Sequence, residues 1–183
     1  MKEDIFYYVY GVLHSAEYRE RFASDLKKML PRLPLVDEPR DFWAFSKAGR
    51  ALAALHLNYE NVPPASGVIV NIAPVIAVNY RVEKMRYPRK EDKTVIKYNE
   101  QILIKNIPLE AYQYVVNDKS AIEWIMERYQ VTVNKDSGIQ NDPNHWAKEQ
   151  QKPRYILDLL LSIIQVCVET VEIVNGLPKM KFE

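Results

Sequence analysis

At 183 residues and 21.4 kDa the chain is long enough to bury one sizeable core and short for two. Hydrophobic residues at 48% and charged residues at 27% exclude a disordered or fibrous chain. With 25 Lys and Arg against 24 Asp and Glu, the net charge of +1 excludes nucleic-acid binding through bulk charge, so any charge-driven contact must come from a local patch.

Residues 1–60 read as helical. Ile5, Val9, Val12 and Leu13 recur at helical spacing after Asp4, and Tyr18, Phe22, Leu26, Met29 and Leu30 do so after a Ser15 cap, until Pro31 stops the run. The aromatics Phe6, Tyr7, Tyr8 and Tyr10 are expected to pack into the core. A third helix is expected near Asp41, with Phe45, Ala48, Leu52 and Leu55 on its apolar face and Gly49 allowing a neighbour to approach closely. From Gly67 to Lys105 the pattern turns strand-like. Val68-Ile-Val70, Val75-Ile-Ala-Val78 and Thr94-Val-Ile-Lys-Tyr98 are β-branched and short, and Asn99-Glu100 turns the last of them into Gln101-Ile-Leu-Ile-Lys105. Pro74 and Pro88 belong at strand ends or edges, because proline cannot donate to a ladder.

Residues 108–183 return to helix. Ser120-Ala-Ile-Glu123 has the spacing of a capping box ahead of Ile122, Ile125, Met126 and Tyr129. A polar loop follows from Asn134 to about Lys152. The final helix is expected between Pro153 and Gly176, with a narrow polar stripe of Asp158, Ser162, Gln165, Glu169 and Glu172 on an otherwise aliphatic surface. Such a helix is buried on most of its circumference. The expected architecture is a single α+β domain over 1–183, with N-terminal helices and a long buried C-terminal helix around a small, mostly antiparallel sheet.

The chemistry of the chain argues against several activities. Five glycines, at 11, 49, 67, 138 and 176, are too far apart for a phosphate cradle or a dinucleotide fingerprint. His14, His56 and His145 have no companions at metal-ligand spacing, so the expected metal set is none, and only His145, in the polar loop, is kept as a contact residue. Cys167 lies in an apolar run, reads as a packed core thiol and cannot close an internal disulfide, which suits a reduced, cytoplasmic protein. The uncharged stretch from Asn61 to Tyr80 is interrupted by Pro63, Pro64, Asn71, Pro74 and Asn79, so no membrane helix is expected there. Glu91-Asp92-Lys93 has the Glu-x-Lys spacing of metal nucleases but lacks a well-placed upstream acid, and a charged turn is the ordinary reading. Asn141-Asp142-Pro143-Asn144 reads as a polar turn, although the same segment concentrates groups that bond base edges.

One segment stands out in charge. From Tyr80 to Lys105 eight positive residues face four acids, a net of +4, with Tyr80, Tyr87 and Tyr98 between them. Such a strip suits phosphate contact with some stacking, and equally suits a solvated sheet edge.

Several longer blocks carry a resemblance. Phe6-Tyr-Tyr-Val-Tyr-Gly-Val-Leu-His-Ser15, Phe42-Trp43 with Leu55-His-Leu-Asn-Tyr-Glu60, Ser120-Ala-Ile-Glu-Trp-Ile-Met-Glu-Arg-Tyr-Gln-Val131, Ser137-Gly-Ile-Gln-Asn-Asp-Pro-Asn144 and Pro153-Arg-Tyr-Ile-Leu-Asp-Leu159 with Val168-Glu-Thr-Val171 span essentially the whole chain. Together they resemble the C-terminal specificity (target-recognition) region of single-polypeptide Type I restriction-modification enzymes, the Type ISP class. The resemblance implies a DNA-reading fragment without catalysis of its own, cut from an enzyme whose nuclease, helicase and adenine methyltransferase regions would use S-adenosylmethionine, ATP and magnesium. On this reading the partners are double-stranded DNA and the methyltransferase and helicase domains. Phosphates are expected at Lys84, Arg86, Arg89, Lys90, Lys93 and Lys97, and base edges at Lys135, Ser137, Asn141, Asn144 and His145. A protein-docking module is the alternative, and an isolated metal nuclease ranks below it.

Overall fold

Two glycines set the spacing of the N-terminal helices. In the computed structural model, which describes residues 2–29 and 31–180, the chain opens with α1 (Lys2–His14), α2 (Ala16–Arg21) and α3 (Ala23–Lys27), followed by α4 (Pro39–Leu57). Pro39 stands at the first helical position of α4, where its missing N–H costs nothing. A Cβ at Gly49 would lie 1.8 Å from the Tyr7 carbonyl oxygen, and one at Gly11 would lie 2.4 Å from that of Phe45. The backbones of α1 and α4 therefore meet directly, around Tyr8, Val12, Tyr18 and Phe45. Alanine for glycine ordinarily stabilises a helix interior by about 1 kcal/mol. Gly49→Ala is expected to do the opposite, because the helices must separate, with a loss of about 1–3 kcal/mol in urea unfolding.

The first unit contains residues 2–59 and 169–180, and the second is Glu60–Val168. In the first, Ser15 caps α2 by accepting from the Tyr18 N–H, as expected. The run does not continue to Pro31, however. It breaks at Phe22 and ends at Lys27, leaving Met29 87% exposed with φ at 58°, and Leu30 lies outside the described residues. The aromatic start divides its labour: Tyr8 is buried, Tyr7 lies under the Arg50 guanidinium, and Phe6 and Ile5 are exposed. The Gly11 contact explains this, since it turns Tyr8 and Val12 toward α4 and rotates Ile5 and Phe6 out.

The histidines of this unit are structural. His56 Nδ1 shares a hydrogen bond with the Tyr10 hydroxyl at 2.8 Å, and Nε2 shares one with Thr170 Oγ1 at 2.9 Å. Burial, assisted by nearby His14, pushes the His56 pKa down to about 4. The neutral ring is favoured in the folded state, so the unfolded chain takes up more protons between the ordinary value near 6.5 and about 4. Stability from His56 is therefore complete above pH 6.5 and lost as pH falls to about 4. The unfolding midpoint should drop more steeply across that window in the wild type than in His56→Gln.

In the second unit the strands β1 (Ile69–Ile72), β2 (Ile96–Lys97) and β3 (Ile102–Lys105) form an antiparallel sheet in the order β1-β3-β2. Val70, Ile72, Ile96, Ile102 and Ile104 share the inner face, whereas Asn71, Lys97, Leu103 and Lys105 share the outer one. Val75–Val78 is not a strand. Pro74 ends the β1 segment, and Ile76 is fully exposed. Next come the small hairpin β4 (Val115–Val116) and β5 (Lys119–Ser120), then α5 (Ala121–Arg128). Its capping box is complete: Ser120 Oγ accepts from the Glu123 N–H, and Glu123 Oε2 accepts from the Ser120 N–H.

The expected polar loop is a hairpin and a helix: β6 (Thr132–Val133), β7 (Gln140–Asn141) and α6 (Asn144–Glu149). The long helix α7 (Tyr155–Asn175) follows, with Gly176 just past its end. Leu157, Leu160, Ile164 and Cys167 are fully buried and form the floor of the sheet core. Ser162, assigned to the polar stripe, is also buried. Burial pushes the Cys167 thiol up to about 12, so it is a packed, unreactive group. The α+β architecture is thus the expected one, with N-terminal helices, a long C-terminal helix and small antiparallel sheets.

Candidate nucleic-acid interface

Only Lys97 and Lys105 of the cationic segment lie on the sheet face. Arg86 and Lys97 exchange backbone hydrogen bonds at 2.8 and 3.1 Å, so the stretch around residue 86 runs along the free edge of β2. Its charges fall into two groups. Arg86 and Lys97 both pair with Glu100, at 3.4 and 2.5 Å. Lys93 pairs with Glu123 at 2.8 Å and sits 5.2 Å from the Tyr112 ring centroid. Lys84, Arg89 and Lys90 are exposed, with no ion pair among the described residues. These three are more readily spent on phosphate than Arg86, Lys93 and Lys97, which must first give up a partner. The tyrosines are not a stacking platform. Tyr98 is fully buried and donates its hydroxyl to the Tyr80 carbonyl at 2.8 Å, while Tyr80 and Tyr87 pack against the core.

Residues 131–144 are built onto the start of this segment. The Val131 N–H donates to the Glu83 carbonyl at 2.8 Å. Asn144 clamps Val82 from both sides, accepting from its N–H at 2.9 Å and donating to its carbonyl at 2.8 Å. Asp142, with a side chain only 3% exposed, pairs with Arg81 at 2.7 Å and accepts from the Asn144 amide. Burial would raise its pKa, but the bonds from Asn144 and Arg81 outweigh that and hold it down at about 2. The ends of the β6-β7 ribbon are therefore fixed against residues 81–83, immediately before Lys84.

The ribbon itself is exposed along both strands. At its tip Asn134 Oδ1 accepts from the Asp136 and Ser137 N–H groups, and Gly138 takes φ of +68°, which a side chain would strain. Lys135 and Ser137 stand at the tip, Asn141 on β7, and His145 on α6, 3.5 Å from Asp142. Asn144 belongs to the clamp, its amide bonded to Val82 and Asp142. The amide-rich segment is thus held against the start of the strip, at residues 81–83, within one unit.

Sequence reasoning missed Thr132, Val133 and Ile139. The two apolar residues are 59% and 69% exposed. Their signal was the alternation Gln130-Val-Thr-Val133 before Asn134–Gly138 and the apolar Ile139 after it, a hairpin pattern hidden by a polar composition. Lys148 was also missed; with Arg81 and His145 it borders a cleft of about 690 Å³ beside the clamp. The Glu91-Asp92-Lys93 triplet forms a turn in which Asp92 accepts from Thr94. Among the described residues no group of three or more His, Cys, Asp or Glu is placed to hold a metal, and no helix is long and apolar enough to cross a membrane.

The family model described as the Type ISP C-terminal specificity domain matches residues 1–159. A nuclease-deletion mutant of the Type ISP restriction-modification enzyme LlaGI, in complex with a DNA substrate mimic, is 50% identical over 99% of this chain, with a TM-score of 0.89. The ATP-dependent Type ISP enzyme LlaBIII bound to DNA is 46% identical over 100%, with a TM-score of 0.90. A DrdV-DNA complex is 31% identical over 100%, with a TM-score of 0.80. The chain spans 14%, 12% and 18% of these three structures. No curated protein matches it.

Proposed function

Because the chain belongs to the Type ISP C-terminal specificity domain family, we propose that it reads duplex DNA for a restriction-modification enzyme, presenting a target adenine to a methyltransferase domain without catalysing a reaction itself. One observation carries this reading: an exposed two-stranded ribbon is anchored to residues 81–83, immediately before the exposed Lys84, in the same unit as Arg89 and Lys90. A two-stranded ribbon fits the major groove, where all four base pairs are distinguishable. The cations supply phosphate contacts that set its register. Arg86, Lys93 and Lys97 join them only by releasing Glu100 and Glu123. Base edges fall to Lys135, Ser137, Asn141 and His145, with Asn144 holding the ribbon in place.

On this reading the methyl donor, ATP and magnesium act elsewhere in the longer polypeptide, and the setting is the cytoplasm. The exposed Ile5, Phe6, Trp43 and Leu57 of α1 and α4 suit packing against a neighbouring domain. Binding of the full chain to duplex DNA across a salt series tests the proposal. One target duplex should bind at least roughly 10³-fold more tightly than random duplex, with log affinity falling linearly against log salt. Equal affinity for all duplexes would leave a docking role.

A further inference from the structure

The two faces of the ribbon differ in what they offer a base pair. Thr132 pairs with Asn141 and Val133 with Gln140. Cross-strand partners share a face and successive residues alternate. One face therefore carries Thr132, Asn141 and, two residues before Asn141, Ile139. The other carries Val133 and Gln140. Asn134, Asp142 and Asn144 spend their side chains on the tip and the clamp. Asn141 does not, and neither its carboxamide nor the Thr132 hydroxyl has a hydrogen bond among the described residues.

An asparagine carboxamide matches the N6 and N7 edge of adenine, and an apolar side chain matches the 5-methyl of thymine. Both edges lie in the major groove of the same base pair. Ile139, 69% exposed, has no core to join. Asn141 precedes the clamped Asp142 and has a shorter side chain than Gln140, so less freedom is lost in aiming it. We infer that the Asn141 and Ile139 face of the ribbon reads an A·T pair in the major groove. This inference rests on the DNA-recognition reading above and names the residues that set its specificity.

Selection from a randomised duplex pool by the full chain tests it, with Asn141→Ala, Ile139→Ala and Gln140→Ala run in parallel. All three positions are exposed, and their thermal midpoints should match the wild type. The wild type should enrich a motif containing an A·T pair at which Asn141→Ala loses discrimination by roughly 5- to 100-fold, the other positions being retained. Replacing that thymine by uracil should weaken the wild type by roughly 4-fold, the worth of one methyl group, and leave Ile139→Ala indifferent. A motif unchanged by both variants, or altered at A·T only by Gln140→Ala, overturns the inference and leaves DNA recognition standing. Failure of the wild type to enrich any motif overturns both.

Discussion

Neutralising Lys84, Arg89 and Lys90 together by glutamine should weaken binding to every duplex alike, by about 100-fold near physiological salt. Each cation that neutralises one phosphate contributes about 0.9 to the slope of log affinity against log salt, so the triple variant should be shallower by about 2.7. The three residues are exposed and make no ion pair among the described residues, so the substitutions remove charge without disturbing the fold. Arg86→Gln should do less, because its guanidinium is already shared with Glu100. A salt series by fluorescence anisotropy distinguishes these outcomes. A triple variant with an unchanged slope would remove the strip from the interface.

The second large effect is on stability. Leu160 is fully buried in the cluster that includes Tyr98, Ile102, Ile104 and Ile164. Leu160→Asp places a carboxylate there with no cation to meet it, and the cost is at least about 4 kcal/mol. That is a large part of an ordinary domain's stability, about 5–15 kcal/mol. The variant should lose cooperative unfolding in urea. Ile164→Val, which removes one methylene from the same core, should cost only about 1 kcal/mol. Asp158, two residues from Leu160 on the exposed side of the helix and paired with Arg154, should tolerate Asp158→Ala with a change of at most about 1 kcal/mol.

The sequence was most legible where a local rule and the packing agreed. Ser120 and Glu123 announced a capping box that is present in full, Gly49 announced a close approach that has a carbonyl at 1.8 Å, and α7 was visible from its aliphatic surface. It was least legible where a tertiary partner decided the outcome. Val75–Val78 has strand composition but follows Pro74 and finds no ladder. Nothing local reveals that Gly11 turns Tyr8 rather than Ile5 into the helix contact. In the candidate interface, Lys84 and Lys93 look alike as letters, yet Lys84 makes no ion pair among the described residues and Lys93 is held by Glu123, thirty residues away. Asn141 and Asn144 look equally suited to reading a base, but Asn144 is committed to Val82 across 62 positions of chain. Pairwise partners at that separation are set by the fold and leave no trace in spacing.

The cationic segment and the ribbon are expected to meet the same duplex, which can be mapped by tethering a DNA-cleaving iron chelate to single cysteines introduced by Ser137→Cys and Lys90→Cys. The native thiol does not interfere, because Cys167 is fully buried with its pKa pushed up to about 12. On the target duplex, cleavage from position 137 should centre in the major groove of the recognised bases, with cleavage from position 90 on the backbone within about one helical turn. Cleavage from only one of the two positions, or two sets of cuts further apart than that, would contradict the account.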